Sequence, residues 1–386
     1  MSAAVGIVAE YDPFHRGHEK HLRLARERAG ADTVYVALSG CFRQRGDPAM
    51  LSPWDRAECA LAAGADAVFL LPTAWTVRDA EHYALGAVAL LARLGATYLA
   101  FGAEYSDPQT LFGIAEKLEA PADAFRDRLR AALAAGNGYP RALNMAMAAE
   151  NALWSEILSR PNNILAVSYL RAIRRLRLPL QPVVIPREGA YRAETIDPEC
   201  PSASAIRAAV ERGDYEDAFR ALPPESRRVI RKALLDRRLP DPSVLDHLTI
   251  RTLRSMGPAE AEASLTDLSE GLSNRILREA GRAGSRKELL DRVCTRRYPR
   301  ARVNRILTRA LLGLTDADGS GDPSFRDVLL LGMKPRPDMT AAWKDRDVRI
   351  HTGVKTLPPD PAFGLWGQCA GLGADWAFRQ KMVTGS

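Results

Sequence analysis

The hydrophobic positions of the first hundred residues follow two alternating rhythms. Short continuous apolar runs fall at Val5–Ala9, Thr33–Leu38, Ala67–Leu71 and Tyr98–Phe101. Between them, apolar residues recur at helical spacing over about 18–29, 55–63 and 79–94. Strands alternating with helices predict parallel β-α-β units, and hence an α/β fold with a doubly wound parallel sheet. Residues 108–175 read as mostly helical, broken at Pro121, Pro140 and Pro161. A further strand, Leu180–Ile185, ends at Pro186, and a loop leads on to a helix over about 203–212. From 214 to about 315 helix follows helix, punctuated by prolines at 223–224 and 240–242. The tail, 320–386, is rich in Pro, Gly and Trp and carries no assignable architecture. The pattern divides the chain into an α/β domain over 1–212, a mostly helical domain over 213–320 and a C-terminal region over 321–386.

Composition narrows the class without naming it. At 386 residues, 46% hydrophobic and 26% charged, the chain has the make-up of an ordinary globular protein with a sizeable core. No window of 18 uninterrupted apolar residues predicts a membrane span, and no basic, apolar leader precedes the first strand. The five cysteines are scattered and no CxxC pair offers a zinc site, which predicts a reducing cytoplasm. Charge changes the picture more. The net charge is +7, yet residues 1–100 hold 10 Lys and Arg against 11 Asp and Glu, whereas residues 220–310 hold 21 against 11. Basicity gathered in the helical half predicts a polyanion partner there.

The unusual residues cluster after the strands, where ligands bind in doubly wound sheets. After the first strand comes "YDPFHRGHEKHL", residues 11–22, with His15 and His18 around Gly17 at a helix entrance. A helix N-terminus presents unpaired N–H groups and partial positive charge, so it favours phosphate. Two imidazoles at i and i+3 point at one place, and the glycine lets a nucleotide approach the backbone. That arrangement suits a nucleoside triphosphate attacked at its α-phosphate while pyrophosphate leaves. After the second strand, "SGCFRQRGDPAML" (39–51) makes a basic loop whose Arg43 and Arg45 can hold a carboxylate, a phosphate or an RNA backbone. In "PNNIL" Asn162 and Asn163 open a helix, and Arg187 stands just past a strand end. "PSASAIR" reads as a second anion-binding terminus, with Ser202 and Ser204 as caps and Arg207 as the fixed cation. Further on, Arg296, Arg297, Arg300, Arg302, Arg305 and Arg309 crowd one segment, and Tyr298 adds a ring that can stack. Arg302, Arg305 and Arg309 share a helical face, which predicts a track for a phosphate backbone.

HxGH near the N-terminus with a "SASAIR" helix start resembles the HIGH-type nucleotidyltransferase superfamily, whose fold is Rossmann-like. The sequence "GIVAEYDPFHRGHEKHL", "LSGCFRQRGDPAML", "FGAE", "RPNNILAVSYLRAI", "IPREGAYR", "PSASAIR" and "RRYPRARVNRILTRALLGLT" is similar, in order, to the bacterial tRNA(Met) cytidine acetate ligase family. The resemblance implies an enzyme that activates acetate with ATP, accompanied by Mg2+, to acetyl-adenylate. It implies further that the acetyl group passes to the wobble cytidine of elongator tRNA(Met), with neither membrane nor DNA as partner. By position it implies ATP contacts from Ile7, Val8, Ala9, Glu10, Tyr11, Asp12, Pro13, Phe14, His15, Arg16, Gly17, His18, Glu19 and Lys20, and from Gly102, Asn162 or Asn163, and Arg187. Ser204 and Arg207 join them from the reading of the second terminus, and no residue is expected to bind a metal. The chain departs from the family pattern at Asp12 and Arg16, where Asn is common, at Leu70, and at Arg192 after Tyr191. Two other readings stay open at this point: a nucleotidyltransferase with a small-molecule product, and an RNA-binding homologue without turnover.

Overall fold

A computed structural model describes residues 3–187, 197, 201–268, 271–321, 323–344, 346–356, 360–372 and 376–385. One sheet organises the chain. Its strands are β1 (Ala4–Ala9), β2 (Thr33–Ser39), β3 (Ala67–Leu71), β4 (Tyr98–Ala103), β5 (Gln181–Pro186), β6 (Asp327–Met333), β7 (Arg349–His351) and β8 (Val383–Thr384). The order is β5-β4-β1-β2-β3-β6-β7, with β8 beside β6. Strands β1 to β5 pair parallel with one another, as the alternating pattern predicts. The order runs outward from β1 in both directions, so the chain reverses at the β1/β4 junction. That switch point is where a crevice opens at the carboxyl ends of the strands.

Residue-by-residue alternation builds two core layers. Val34, Val36 and Leu38 of β2 join the core on one face, whereas Tyr35 and Ala37 join the core on the other. Helices Arg16–Ala29, Pro53–Ala62 and Ala203–Arg212 cover the first face, through Leu22, Trp54, Ala57 and Ile206 among others. Helices Ala80–Arg93 and Pro161–Arg175 cover the second, through Val88, Leu91, Val167 and Leu170. All residues of β2 and β3 are buried, which is why both strands read as unbroken apolar runs. A third core, from Ile250 to Leu307, belongs to the helical region alone. Helices Tyr215–Arg220 and Pro224–Leu235 instead pack through Ala218, Val229 and Ile230 into the first layer.

The tail supplies what its composition does not reveal. β6 pairs antiparallel with β3 through Ala67↔Met333 and Val68↔Gly332, so the sheet is mixed rather than wholly parallel. Trp376 then packs against Trp54 and Trp366 against Trp376, and the Trp366 Nε1–H donates to the Ala49 carbonyl at 2.7 Å. Among the described residues, no helix is long and apolar enough to cross a membrane.

Candidate active site

The histidine segment stands at the β1 end of the switch point. His15 has extended backbone (φ −134°, ψ 171°) and caps the helix Arg16–Ala29, which closes at Gly30 in a left-handed turn. Its ring is buried and stacks on His18, with centroids 3.6 Å apart at 19°. Tyr11 (φ 47°) and Phe14, both buried, lie beneath, with Tyr11–His18 and Phe14–His18 centroids at 4.9 and 5.6 Å. The His15 backbone N–H donates to His18 Nδ1 at 3.3 Å. Burial, reinforced by His15 and Arg187, holds the His18 pKa well below its ordinary value. A neutral ring that accepts at Nδ1 carries its proton on Nε2, which is left to donate. Burial with Arg187 and Arg207 nearby pushes His15 down to about 3. His15 Nδ1 and the Tyr11 hydroxyl are buried without a hydrogen-bond partner among the described residues.

Gly17 has a local reason. A Cβ there would come within 3.1 Å of two His15 ring atoms, so the glycine makes room for the stacked imidazole rather than for a nucleotide. Ile7 and Ala9 point into the core and Val8 is half-buried, so β1 offers a ligand mainly backbone. Pro13 is buried; Arg16, Glu19 and Lys20 are exposed at the start of the helix.

Asp12 organises the charges. Its carboxylate is buried, faces Arg43 at 3.4 Å and Arg207 at 3.7 Å, and accepts the Met50 N–H at 2.7 Å. Arg207 also donates to the Asp12 carbonyl. The departure from asparagine thus brings two arginines together, and Arg43 is tied further to Asp47 at 3.3 Å. Arg45 lies exposed at the loop tip. The expected serine cap differs: Ser202 and Ser204 bond each other at 2.7 Å, and Ser202, at the cap position, makes no side-chain cap bond. Ser204 is exposed. Tyr191 and Arg192 lie outside the described residues.

Across the switch point, Gly102 lies one residue before the end of β4 and Arg187 follows β5. A Cβ on Gly102 would find only ordinary contacts near 4 Å with His21, Ile185 and Arg187, which leaves a flat open floor. The two asparagines have different work. Asn163 is buried, donates to the Ile157 carbonyl at 3.0 Å and accepts the Tyr105 N–H at 3.0 Å, so it holds backbone. Asn162 is half-buried and meets Arg187 at 3.3 Å through its carbonyl oxygen. Glu104 fixes both, accepting from Asn162 Nδ2 at 2.6 Å and from the Asn163 N–H at 3.0 Å.

Two contributors, His21 and Arg56, escape the sequence reading, and Glu10, expected as an ATP contact, also holds the basic loop. His21 sits one turn after His18 and beside Gly102, and burial, then Arg187, lowers it to about 4. Its i+3 spacing was the available signal. Glu10 accepts the Gln44 N–H at 2.7 Å and so ties the basic loop to β1. Arg56 is wholly buried and donates to the carbonyls of Glu10 (2.6 Å), Ser39 (2.9 Å), Leu51 (3.1 Å) and Gly40, drawing the ends of β1 and β2 together. Inside a helix it reads as a solvent-facing charge, and nothing in the sequence marks it otherwise.

The arginine track needs correction. Arg309 is buried and donates to the Thr266 hydroxyl and to the carbonyls of Ala74, Val77 and Asp318, so it shares no solvent face with Arg302 and Arg305. Arg302 pairs with Asp267 at 3.1 Å and Arg300 with Asp291 at 2.5 Å. Arg305 is half-buried over a small cavity with Asp79, His82 and Asp267. Tyr298 is buried, with the Arg297 guanidinium 5.8 Å from its ring centroid; Arg296 and Arg297 are exposed.

A switch-point crevice entered by a helix that starts His-Arg-Gly-His defines a HIGH-type nucleotidyltransferase, and the family profile "HIGH Nucleotidyl Transferase" matches residues 1–346. The tRNA(Met) cytidine acetate ligase of Acetivibrio thermocellus is 36% identical over 324 residues, which cover 81% of this chain and 78% of that protein. The chain belongs to the tRNA(Met) cytidine acetate ligase family, whose members are ligases. The crystal structure of apo Thermotoga maritima TmcAL has the same fold, with a TM-score of 0.90 at 24% identity over 99% of both chains. A second crystal structure of that protein, bound with alpha-thio ATP, gives a TM-score of 0.82 at 26% identity, covering 95% of this chain and 91% of that one.

Proposed function

We propose that this chain activates acetate with ATP and transfers the acetyl group to the wobble cytidine of elongator tRNA(Met), as a cytoplasmic enzyme that does not act on DNA. The observation that carries the reading is His18. Its neutral ring, pinned by the His15 N–H, offers an Nε2–H at the first turn of a helix. The unpartnered His15 Nδ1 and Tyr11 hydroxyl add buried polar atoms that call for a ligand. ATP lies along Ile7 to Lys20, with its base on the open floor at Gly102 and its phosphates toward Arg187, Asn162 and the helix start. Asn163 supports from behind, and Arg207 and Ser204 close the far side.

In the first step an acetate oxygen attacks the α-phosphorus, the bond to the β-phosphate oxygen breaks and pyrophosphate leaves. His18 acts as a hydrogen-bond donor to the charge that develops, and a neutral ring does this without giving up its proton. In the second step the cytidine N4 amine attacks the acetyl carbon, AMP departs with the bonding pair, and the amine loses a proton to give 4-acetylcytidine. A Mg2+ ion carried in with ATP would supply charge neutralisation on the triphosphate rather than a protein-held site. Among the described residues no cluster of three His, Cys, Asp or Glu side chains gathers to hold an ion. The polyanion partner is met by the basic helical half and by Arg43 and Arg45.

Acetate-dependent exchange of pyrophosphate into ATP tests the first step. His18→Ala should slow it on the order of 100-fold or more while the protein stays folded. Parental exchange in that variant would overturn the role of His18, and exchange indifferent to acetate would overturn the substrate.

A further inference from the structure

Beside the histidine helix lies an open cleft of about 600 Å³, lined by Arg16, Tyr215, Phe219, Arg220, Arg227 and Arg231, of which Arg16 alone borders the proposed ATP path. Its chemistry follows from spacing. Tyr215 and Phe219 stand four apart in the short helix Tyr215–Arg220, so their rings share a face, with centroids 6.2 Å apart at 29°. Arg227 and Arg231 stand four apart in the next helix, Pro224–Leu235, and the Arg231 guanidinium lies 4.9 Å from the Phe219 centroid. The Arg16 backbone N–H donates to the Ala221 carbonyl at 3.0 Å, which joins the start of the histidine helix to this hairpin.

The occupancy of the cations is uneven. Arg220 is engaged by Asp217 at 3.0 Å, and the Arg227 Nε–H by the Leu222 carbonyl at 2.9 Å. The guanidinium groups of Arg16 and Arg231 form neither an ion pair nor a hydrogen bond among the described residues. Glu216 is the single carboxylate among the described residues lining the cleft. Tyr215 presents its ring to solvent at 41% exposure.

We infer that this cleft is a groove for an unpaired stretch of the RNA substrate, with a base on the Tyr215 ring and phosphates at Arg16 and Arg231. Single-stranded nucleic acid is held by this pairing of stacking platforms with cations, which a small anion does not require. The groove is too open to enclose a mononucleotide, and Arg16 is the residue next to His15. A strand that delivers a base to the switch point therefore passes over it. The inference rests on the tRNA-acylating reading above and adds to it a location on helices other than the one that carries Arg300 to Arg309.

Binding of elongator tRNA(Met) transcript, followed by fluorescence anisotropy across a salt series, tests it on the full chain. Tyr215→Ala should weaken binding about tenfold, whereas Tyr215→Phe keeps the ring and should stay within about twofold. Arg231→Gln should weaken binding and lower the slope of log affinity against log salt by about 0.7, the value for one phosphate of a single strand. Thermal unfolding checks that each variant is folded, and Arg231→Gln carries the test if Tyr215→Ala is not. If the parent binds tRNA and the folded variants bind with parental affinity and slope, the groove is overturned and the function stands. If the parent does not bind tRNA at all, the functional reading falls and the groove with it.

Discussion

His15, His18 and His21 are kept neutral by burial, and that has a measurable cost in acid. Free imidazole titrates near 6.5, whereas folded His15 and His21 titrate near 3 and 4. Between those values the unfolded chain binds protons that the folded one refuses. Stability is therefore fully present above about pH 6.5 and declines as pH falls, by up to about 1.4 kcal/mol per pH unit for each ring. Denaturant melts at pH 7, 6 and 5 should trace this decline, and His21→Gln should remove about one proton from the slope; an unchanged slope would exclude His21. Site residues were legible where a polar type interrupts an apolar context, as with His15 and His18 after β1. Arg56 and Arg309 were not, because periodicity assigns a residue to a helix face without saying which element covers that face. Only the fold supplies the carbonyls that make a buried guanidinium tolerable.

At the scale of elements, the basic loop is set by the helix it docks on. Asn304 Nδ2 donates to the Arg45 carbonyl and to Asp47 Oδ1, both at 2.9 Å, and the Thr308 hydroxyl donates to the Gly46 carbonyl at 2.6 Å. Buried Arg286 braces Asn304 from behind, at 3.0 Å to its Oδ1 and 2.9 Å to its carbonyl. Gly46 has φ +90°, and a Cβ there would lie 2.9 Å from the Asn304 carbonyl oxygen. Gly46→Ala should thus cost about 1–3 kcal/mol from backbone strain and clash together. A melting temperature equal to the parent's would show that the loop does not need this seat. The parallel strands were legible to within two residues at either end because buried strands read as plain apolar runs. Loop-to-helix docking was not, since it rests on carbonyls that every sequence possesses.

At the scale of the whole molecule, the sheet depends on its far end. β6 covers the edge of β3, and Asp360 accepts the Thr73 N–H at 3.1 Å just beyond that strand. Ending the chain at residue 320 should expose an apolar strand edge and send the protein into aggregates, seen as light scattering and loss from the soluble fraction. A soluble, monomeric 1–320 fragment would refute this. The tail's strands β7 and β8 span only three and two residues, too short for a period to emerge, whereas β6 is a seven-residue strand whose apolar run, Val328 to Met333, the sequence reading passes over. The β3–β6 pairing also imposes an order in time. Ala67 and its partner Met333 are 266 residues apart, so β3 waits at the ribosome with one edge bare until residue 333 has emerged. Throughout synthesis the growing chain is a host to any passing strand, and its own last third is the guest that must arrive first.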